Sequence, residues 1–220
     1  MPNKKLTKPA FRMAAIAAAA GIVAGAIAVY VMGAADGNNG ATANVGAATL
    51  AKVAAIDPYI TGEVAAMLPA DPPRPLTDLA FNGPDGQPLT VADFSGKTLL
   101  INLWATWCTP CREEMPALDA LQQKLGSDAF EVVAVNVDLG DDAKPKRFLE
   151  ETNITALAHY RDNKMKIFND LKSRGLALGL PVTLLLDGEG NLLAHMNGPA
   201  AWDSADAERL IEAAVATPEG

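Results

Sequence analysis

Residues 98–111 read TLLINLWATWCTPC, and this stretch decides the fold. Its first seven residues form an apolar run of strand length, and a Cys-x-x-Cys pair follows closely. From about residue 109 to 125, apolar residues recur at three- and four-residue steps until Gly126, which predicts a helix. A second apolar run covers residues 130–137. We therefore predict a strand–helix–strand unit whose strands are buried on both faces.

The cysteine pair lies where the first predicted strand meets the helix. Unpaired backbone N–H groups and the helix dipole favour a thiolate there, so Cys108 is predicted to be the attacking sulfur. Cys111 follows one turn later, close enough to close a disulfide, and Pro110 suits a first helical turn. The spacing predicts a redox pair. The alternative, half of a structural zinc site, needs two more ligands, and the sequence has only His159 and His195 to supply them.

The remaining C-terminal pattern predicts further helices and a hairpin. The predicted elements are helices over 145–152, 163–173 and 204–214, and strands over 182–186 and 191–196 joined by the turn DGEG. This order predicts an α/β domain with a central mixed β-sheet flanked by helices, in which parallel strands precede an antiparallel hairpin.

The N-terminal region predicts a membrane anchor. Residues 13–35 are apolar without interruption and follow a basic flank, residues 1–12. A span needs about 20 apolar residues, whereas a signal peptide has about 7–15. We therefore predict an uncleaved transmembrane helix over 13–35, a cytoplasmic flank, and a C-terminal domain in the periplasm, with the protein in a bacterial inner membrane. A long signal peptide cleaved near residues 33–35 is the alternative.

Composition limits the rest of the chain. Residues 36–75 are rich in small and turn-forming residues and are predicted to be a tether. Within it, residues 50–56 and 62–68 have weak helical periodicity and are candidates for short helices that lie against the domain. Residues 76–220 are predicted to form one domain of ordinary size. The net charge of −8 includes a basic N-terminus, so the remainder is more acidic still, which disfavours nucleic-acid partners. Two cysteines exclude a disulfide-stapled scaffold.

These motifs resemble the thioredoxin superfamily and, within it, the TlpA/ResA/DsbE branch of exported thiol reductases. The resemblance covers roughly residues 76–220 and adds the N-terminal anchor. Its motifs are WCTPC after a strand, the flanking segments NLWATWC and CREEMP, a proline five residues beyond the second Cys, and GLPVT at 179–183. It implies a thioredoxin fold with no cofactor beyond the Cys108–Cys111 disulfide.

The resemblance also implies roles for individual residues and partners. Cys108 is the nucleophile, Cys111 the resolving thiol, and Pro181 a cis-proline whose loop holds the substrate chain extended. The backbone of Leu180 then pairs with the substrate strand. The implied function is reduction of disulfides in partner proteins during cytochrome oxidase and cytochrome c biogenesis. The implied partners are a copper chaperone, an oxidase subunit or apocytochrome c, together with a membrane electron donor of the DsbD/CcdA type.

Two further predictions concern the surroundings of the thiols. We expect Trp107 to be an exposed contact surface for substrate, together with Thr109 and Pro110 of the motif itself. Trp104 and Trp202 are expected to pack in the core.

The proton of Cys111 needs an acceptor. Cytoplasmic thioredoxins have a buried Asp six positions before the first Cys, but this chain has Asn102, and an amide cannot titrate. Glu114 lies three residues after Cys111 on the same helical face and is predicted to accept the proton. In the TlpA/ResA branch that the sequence resembles, an acid also occupies this place. The alternative for Glu114 is a solvated surface charge.

Three other functions stay open at this point. One is a reductase specific for apocytochrome c, of the ResA/DsbE type. Another is a DsbA-type oxidase, although such proteins usually have a His between the two cysteines, where this chain has Thr109-Pro110. The third is a non-catalytic copper-binding assembly module, whose usual Cys-x-x-x-Cys spacing differs from the spacing here. No metal site is predicted.

Overall fold

The computed structural model describes residues 46–216. In chain order the elements are α1 (Ala47–Ile56), β1 (Leu68–Pro69), β2 (Ala80–Asn82), β3 (Pro88–Thr90), β4 (Thr98–Trp104), α2 (Thr109–Leu125), β5 (Phe130–Asn136), α3 (Ala143–Glu151), β6 (Tyr160–Arg161), α4 (Lys166–Ser173), β7 (Val182–Leu186), β8 (Leu192–Asn197) and α5 (Ala205–Val215). The helices and long strands predicted between residues 98 and 214 are all present, with ends displaced by at most three residues.

The strands form one sheet in the order β1-β8-β7-β4-β5-β6-β2-β3. Strand β4 pairs with β5 in parallel and with β7 antiparallel, and β8 returns antiparallel to β7. The predicted α/β class with a central mixed sheet is therefore confirmed. All seven residues of β4 and all five of β7 are buried, as expected for apolar runs covered on both faces.

Helix α2 follows directly from its sequence signals. Cys108 is its N-cap residue, and Pro110 occupies the first turn, where a missing N–H costs nothing. The buried face carries Met115, Leu118 and other apolar residues, and the helix ends before Gly126. The start of α2 thus places the cysteine pair at the end of β4.

The segment predicted as a tether is part of the folded unit from residue 46 onward. Helix α1 packs against α5 and β8, and β1 extends the sheet beside β8. Ile56, Val64 and Met67 are buried in the common core. The folded unit therefore begins well before residue 76. The helical periodicity of residues 50–56 is weak because α1 buries only two of its own residues, Thr49 and Ile56.

The short strands β2, β3 and β6 were not predicted. They have three, three and two residues, respectively. So short a segment carries no readable periodicity, and its conformation depends on pairing with neighbouring strands at the sheet edge.

The predicted localisation, a single-pass protein of the bacterial inner membrane, is contradicted and must be corrected. Across residues 46–216, no helix combines the length and the apolar composition needed to cross a membrane. The longest helix among these residues, α2, has 17 residues and includes charged ones such as Arg112 and Glu113. The predicted anchor at 13–35 and its flank at 1–12 lie outside the described residues.

Candidate active site

Strand register brings three loops together at one end of the sheet. The end of β4 is paired with the start of β7 (Leu103 with Val182) and with the end of β5 (Trp104 with Asn136). The loop after β4, which carries the cysteines, therefore emerges beside the loop before β7 and the loop after β5.

Cys108 and Cys111 are joined by a disulfide, with their Cα atoms 5.3 Å apart. The backbone N–H of Cys111 donates a hydrogen bond to Sγ of Cys108 at 3.3 Å. Together with the helix N-terminus, this donor favours negative charge on Cys108 once the disulfide is reduced. Cys108 is 6 % exposed whereas Cys111 is 0 % exposed, so an incoming sulfur reaches Cys108 first.

The loop before Cys108 is anchored by the buried carboxylate of Asp138. Asp138 accepts hydrogen bonds from the N–H and the hydroxyl of Thr106 at 3.0 and 3.1 Å, and from the side-chain amide of Asn136 at 2.9 Å. Arg161 donates to the backbone carbonyl of Asp138 at 3.1 Å. These bonds hold the approach to the disulfide against the end of β5.

Glu114 is buried on the helix that begins at the disulfide, and the alternative of a solvated surface charge is excluded. Its side chain is 4 % exposed and accepts three hydrogen bonds. Oε1 accepts from Nδ2 of Asn102 at 2.8 Å, while Oε2 accepts from the N–H of Ala200 at 3.1 Å and from Nε1 of Trp202 at 3.0 Å.

Burial dominates the acidity of Glu114. Removal from water raises the pKa of its carboxyl to about 7, although the three hydrogen bonds act in the opposite direction. A carboxyl with this pKa exchanges its proton near neutral pH, which suits a general acid–base group.

Asn102 occupies the place beside Glu114 where thioredoxins have an Asp. It is fully buried on β4, and its Nδ2 also donates to the hydroxyl of Thr183 on β7 at 3.0 Å. Its Oδ1 is buried and has no hydrogen-bond partner among the described residues. The side chain of Asn102 therefore has an unused acceptor, Oδ1, on the same carboxamide group as the donor that faces Glu114.

The loop before β7 presents the predicted substrate-binding pair. The Leu180–Pro181 peptide bond is cis, as predicted. Leu180 is half-buried, and the carbonyl of Pro181 accepts a hydrogen bond from the N–H of Gly198 at 2.9 Å. Because Val182 pairs with the end of β4, this loop lies on the same edge of the sheet as the cysteines.

The predicted contact residues around the thiols differ in exposure. Trp107 and Thr109 are exposed and Pro110 is half-buried. Trp107 borders an open groove of about 740 Å³ that runs along the loop after β5. The groove is lined by Thr106, Trp107, Asp138, Leu139, Gly140, Asp141, Lys144, Pro145 and Met165. Leu139, like Trp107, exposes most of its side chain, so the rim of the groove is partly apolar.

The two histidines do not complete a metal site. Within residues 46–216 there is no group of three or more His, Cys, Asp or Glu side chains placed to hold a metal ion. His195 lies on β8 opposite Leu184, and His159 precedes β6. Burial lowers the pKa of both imidazoles.

Sequence reasoning missed the residues that surround Glu114. Ala200 and Trp202 lie 86 and 88 positions away in the chain, and no local spacing points to them. Trp202 is fully buried, as predicted, but it also donates a hydrogen bond to the carboxylate. One indication was present in the sequence: a tryptophan that is predicted to be buried needs a hydrogen-bond acceptor for its indole N–H.

The fold and the site together define a thioredoxin-like domain with a disulfide at the start of the helix that follows the central strand. The Redoxin family profile matches residues 72–211, and the chain belongs to that family.

Several curated relatives carry thiol-disulfide names. The thioredoxin-like protein YneN of Bacillus subtilis is 34 % identical over 116 residues, which cover 51 % of this chain and 64 % of YneN. The thiol:disulfide interchange protein HelX of Rhodobacter capsulatus is 39 % identical over 120 residues, 53 % of this chain and 61 % of HelX. The thiol-disulfide oxidoreductase ResA of Geobacillus kaustophilus is 30 % identical over 144 residues, 62 % of this chain and 71 % of ResA. The chain thus spans less than two thirds of YneN and of HelX.

Solved structures confirm the thioredoxin-like fold. A thiol:disulfide interchange protein of the thioredoxin family from Chlorobium tepidum superposes with a TM-score of 0.53 at 26 % identity. The superposition covers 65 % of this chain and 98 % of the Chlorobium tepidum chain. A DsbF homologue from Corynebacterium diphtheriae superposes with a TM-score of 0.54 at 25 % identity, covering 67 % and 92 %.

Proposed function

We propose that this protein is a thiol-disulfide oxidoreductase that works as a protein-disulfide reductase. The observation that carries the proposal is the Cys108–Cys111 disulfide at the start of α2, with the carboxyl of Glu114 buried on the same helix. The names of the relatives support the same reaction class.

The first step is attack on a substrate disulfide. In the reduced protein, the Cys108 thiolate forms a bond to one substrate sulfur, and the substrate S–S bond breaks. The other substrate sulfur leaves as a thiolate and takes a proton from water. The product is a mixed disulfide between Cys108 and the substrate. The greater exposure of Cys108 and the N–H donor at its sulfur support its role as nucleophile.

The second step releases the substrate. Cys111 loses its proton to Glu114, and its thiolate attacks Sγ of Cys108. The Cys108–Cys111 bond forms, the mixed disulfide breaks, and the second substrate thiolate departs. Two electrons have passed from the cysteine pair to the substrate. A buried carboxyl one helical turn after Cys111, with a pKa of about 7, supports the assignment of Glu114 as proton acceptor.

Substrate binding is proposed for the surface around Cys108. The backbone of Leu180, beside Pro181, pairs with an extended substrate segment as an added strand. Trp107, Thr109 and Pro110 contact the residues that flank the substrate disulfide. The exposure of the Trp107 side chain and its place on the groove rim support this assignment.

The proposed biological role is disulfide reduction during cytochrome oxidase or cytochrome c biogenesis. Its substrates are then a copper chaperone, an oxidase subunit or apocytochrome c, and an electron donor of the DsbD/CcdA type returns the cysteine pair to the dithiol. The support is the resemblance of the sequence to the TlpA/ResA/DsbE branch. The chemistry requires no cofactor beyond the cysteine pair.

The test uses single cysteine substitutions. Cys108→Ser should abolish reduction of insulin by dithiothreitol through this protein, because no nucleophile remains. Cys111→Ser should instead accumulate mixed disulfides with substrate proteins, because the resolving thiol is missing. Reduction at the wild-type rate by Cys108→Ser would rule out the mechanism. Identification of the trapped proteins distinguishes apocytochrome c from a copper-site protein as substrate.

The direction of electron flow is tested by the reduction potential of the pair. Equilibration with defined thiol buffers should give a value near or below that of thioredoxin, roughly −270 mV. A value near about −120 mV, typical of DsbA, would show that the pair donates disulfides.

A further inference from the structure

The segment between β8 and α5 forms hydrogen bonds with the side chain of Glu114. It delivers two hydrogen-bond donors to one oxygen, Oε2: the backbone N–H of Ala200 at 3.1 Å and the indole N–H of Trp202 at 3.0 Å. The indole is fully buried, so water does not compete for this bond. A residue 88 positions away from Glu114 thus fixes the orientation of its carboxyl group.

The two oxygens of Glu114 face chemically different partners. A backbone N–H and an indole N–H can only donate, so Oε2 is held as an acceptor in every state of the site. Oε1 faces the amide of Asn102, which has both a donor and an acceptor end. The acceptor end, Oδ1, has no partner among the described residues. If the amide turns over, Oδ1 can accept a hydrogen bond from a protonated Oε1.

We propose that Trp202 is a positioning residue of the redox site: its indole N–H keeps Oε2 of Glu114 as an acceptor and directs proton uptake to Oε1. Trp202 thereby helps to set the pH at which Glu114 exchanges its proton. The link to Cys111 rests on the proposed function, whereas the effect on Glu114 itself does not.

The groups that face Glu114 in the described structure are neutral. They are Asn102 from β4, backed by Thr183 from β7, and the two N–H donors from the segment before α5. On its own helix the charged neighbours Arg112 and Glu113 are exposed to solvent, and Cys111 is tied up in the disulfide of the oxidised protein. Neutral donors and burial therefore control the carboxyl, and no ion pair contributes to its pKa.

The test removes the indole N–H and keeps an aromatic ring. In oxidised Trp202→Phe, the carboxylate form of Glu114 loses one donor, so the midpoint of its titration should rise by about one pH unit. Carbon NMR of the labelled Glu114 carboxyl measures this midpoint without any enzymatic reaction. Trp104→Phe is the matched control: Trp104 is also buried but packs against the ring of Phe148 at a tilted angle, and its substitution should leave the midpoint unchanged.

A second measurement uses the unsubstituted chain, in case Trp202→Phe does not fold. The indole N–H resonance of Trp202 should shift with the same midpoint as the Glu114 carboxyl, and this shift should be absent in Glu114→Gln. An indole resonance that stays constant through the titration overturns the proposal. An unchanged midpoint in Trp202→Phe, or an equal rise in Trp104→Phe, also overturns it.

Activity separates this inference from the proposed function. If the protein is a reductase, the pH at half-maximal release of substrate from the mixed disulfide should rise in Trp202→Phe together with the NMR midpoint. If the NMR midpoint rises but no variant or wild-type protein reduces disulfides, the proposed function fails and the role of Trp202 toward Glu114 stands.

Discussion

A carboxylate is buried near each end of the central sheet, and the two carboxylates differ in their hydrogen-bond partners. Glu114, near the cysteines, and Asp187, after β7 at the opposite end, are both 4 % exposed. Asp187 accepts four hydrogen bonds: from the hydroxyl of Thr49 at 2.6 Å, from the backbone N–H groups of Glu189 and Asn191, and from Nδ2 of Asn191. Glu114 accepts three, and the adjacent amide of Asn102 keeps an acceptor unused.

This difference agrees with a structural role for Asp187 and with the proton transfer that we propose for Glu114. The donors of Asp187 include two backbone N–H groups of its own turn, and the bond from Thr49 fastens α1 to the hairpin. Burial with fewer donors, as at Glu114, leaves the charged and neutral forms close in free energy, and that is what proton transfer requires.

The largest effect is expected from removing the reactive carboxyl. Glu114→Gln should slow release of substrate from the Cys108 mixed disulfide by about 10³-fold at pH 7, because Cys111 loses its proton acceptor. Stopped-flow measurement of single-turnover thiol release tests this. The matched control is Glu113→Gln, whose side chain is exposed on the same helix turn. A rate within twofold of wild type for Glu114→Gln would remove the distinction between the two carboxylates.

The second-largest effect is expected on the pH dependence of the free energy of unfolding. The pKa of Glu114 is raised by burial from 4.5 to about 7, so the folded state binds this proton more tightly than the unfolded state. Its contribution to stability is therefore complete below about pH 4.5 and is lost as the pH rises through 7. Through Glu114, the free energy of unfolding should therefore fall by about 3 kcal/mol over this pH interval.

Urea unfolding at pH 4.5 and pH 8 measures this loss in the oxidised protein. Glu114→Gln should lose less stability than wild type over the same interval, because its side chain does not titrate. An identical dependence on pH in the two proteins would contradict the raised pKa.

The smallest effect is expected at the opposite end of the sheet. Thr49→Val removes a hydroxyl at nearly unchanged side-chain volume. This hydroxyl donates a hydrogen bond to the carboxylate of Asp187 and accepts one from Nδ2 of Asn191. The free energy of unfolding should fall by about 2 kcal/mol, with the rate of disulfide reduction unchanged. Thr61→Val, at an exposed position, is the control and should leave stability unaltered. A loss of activity in Thr49→Val would show that the two ends are coupled.

Much of the fold was predictable because its central strands and helices are long and periodic. The strand–helix–strand unit around the cysteines and the β7–β8 hairpin follow from apolar runs, from Gly126 and from the DGEG turn. The sequence indicated helix α1 only weakly and did not indicate the strands β2, β3 and β6, since their conformation depends on neighbours that are distant in the chain. Similarly, the positions of Cys108 and Glu114 were readable from spacing, whereas the environment of Glu114 was not.

The sequence alone determined that a Cys-x-x-Cys pair begins a helix after a buried strand, and that an acid lies one turn beyond Cys111, because these are local relations along one helix. Only the tertiary structure decided what that acid can do. Its burial and its bonds to Asn102 and Trp202 depend on β4 and on the segment before α5 meeting α2. The acidity of a carboxyl is set by solvation and by donors in space, and neither is encoded by spacing along the chain.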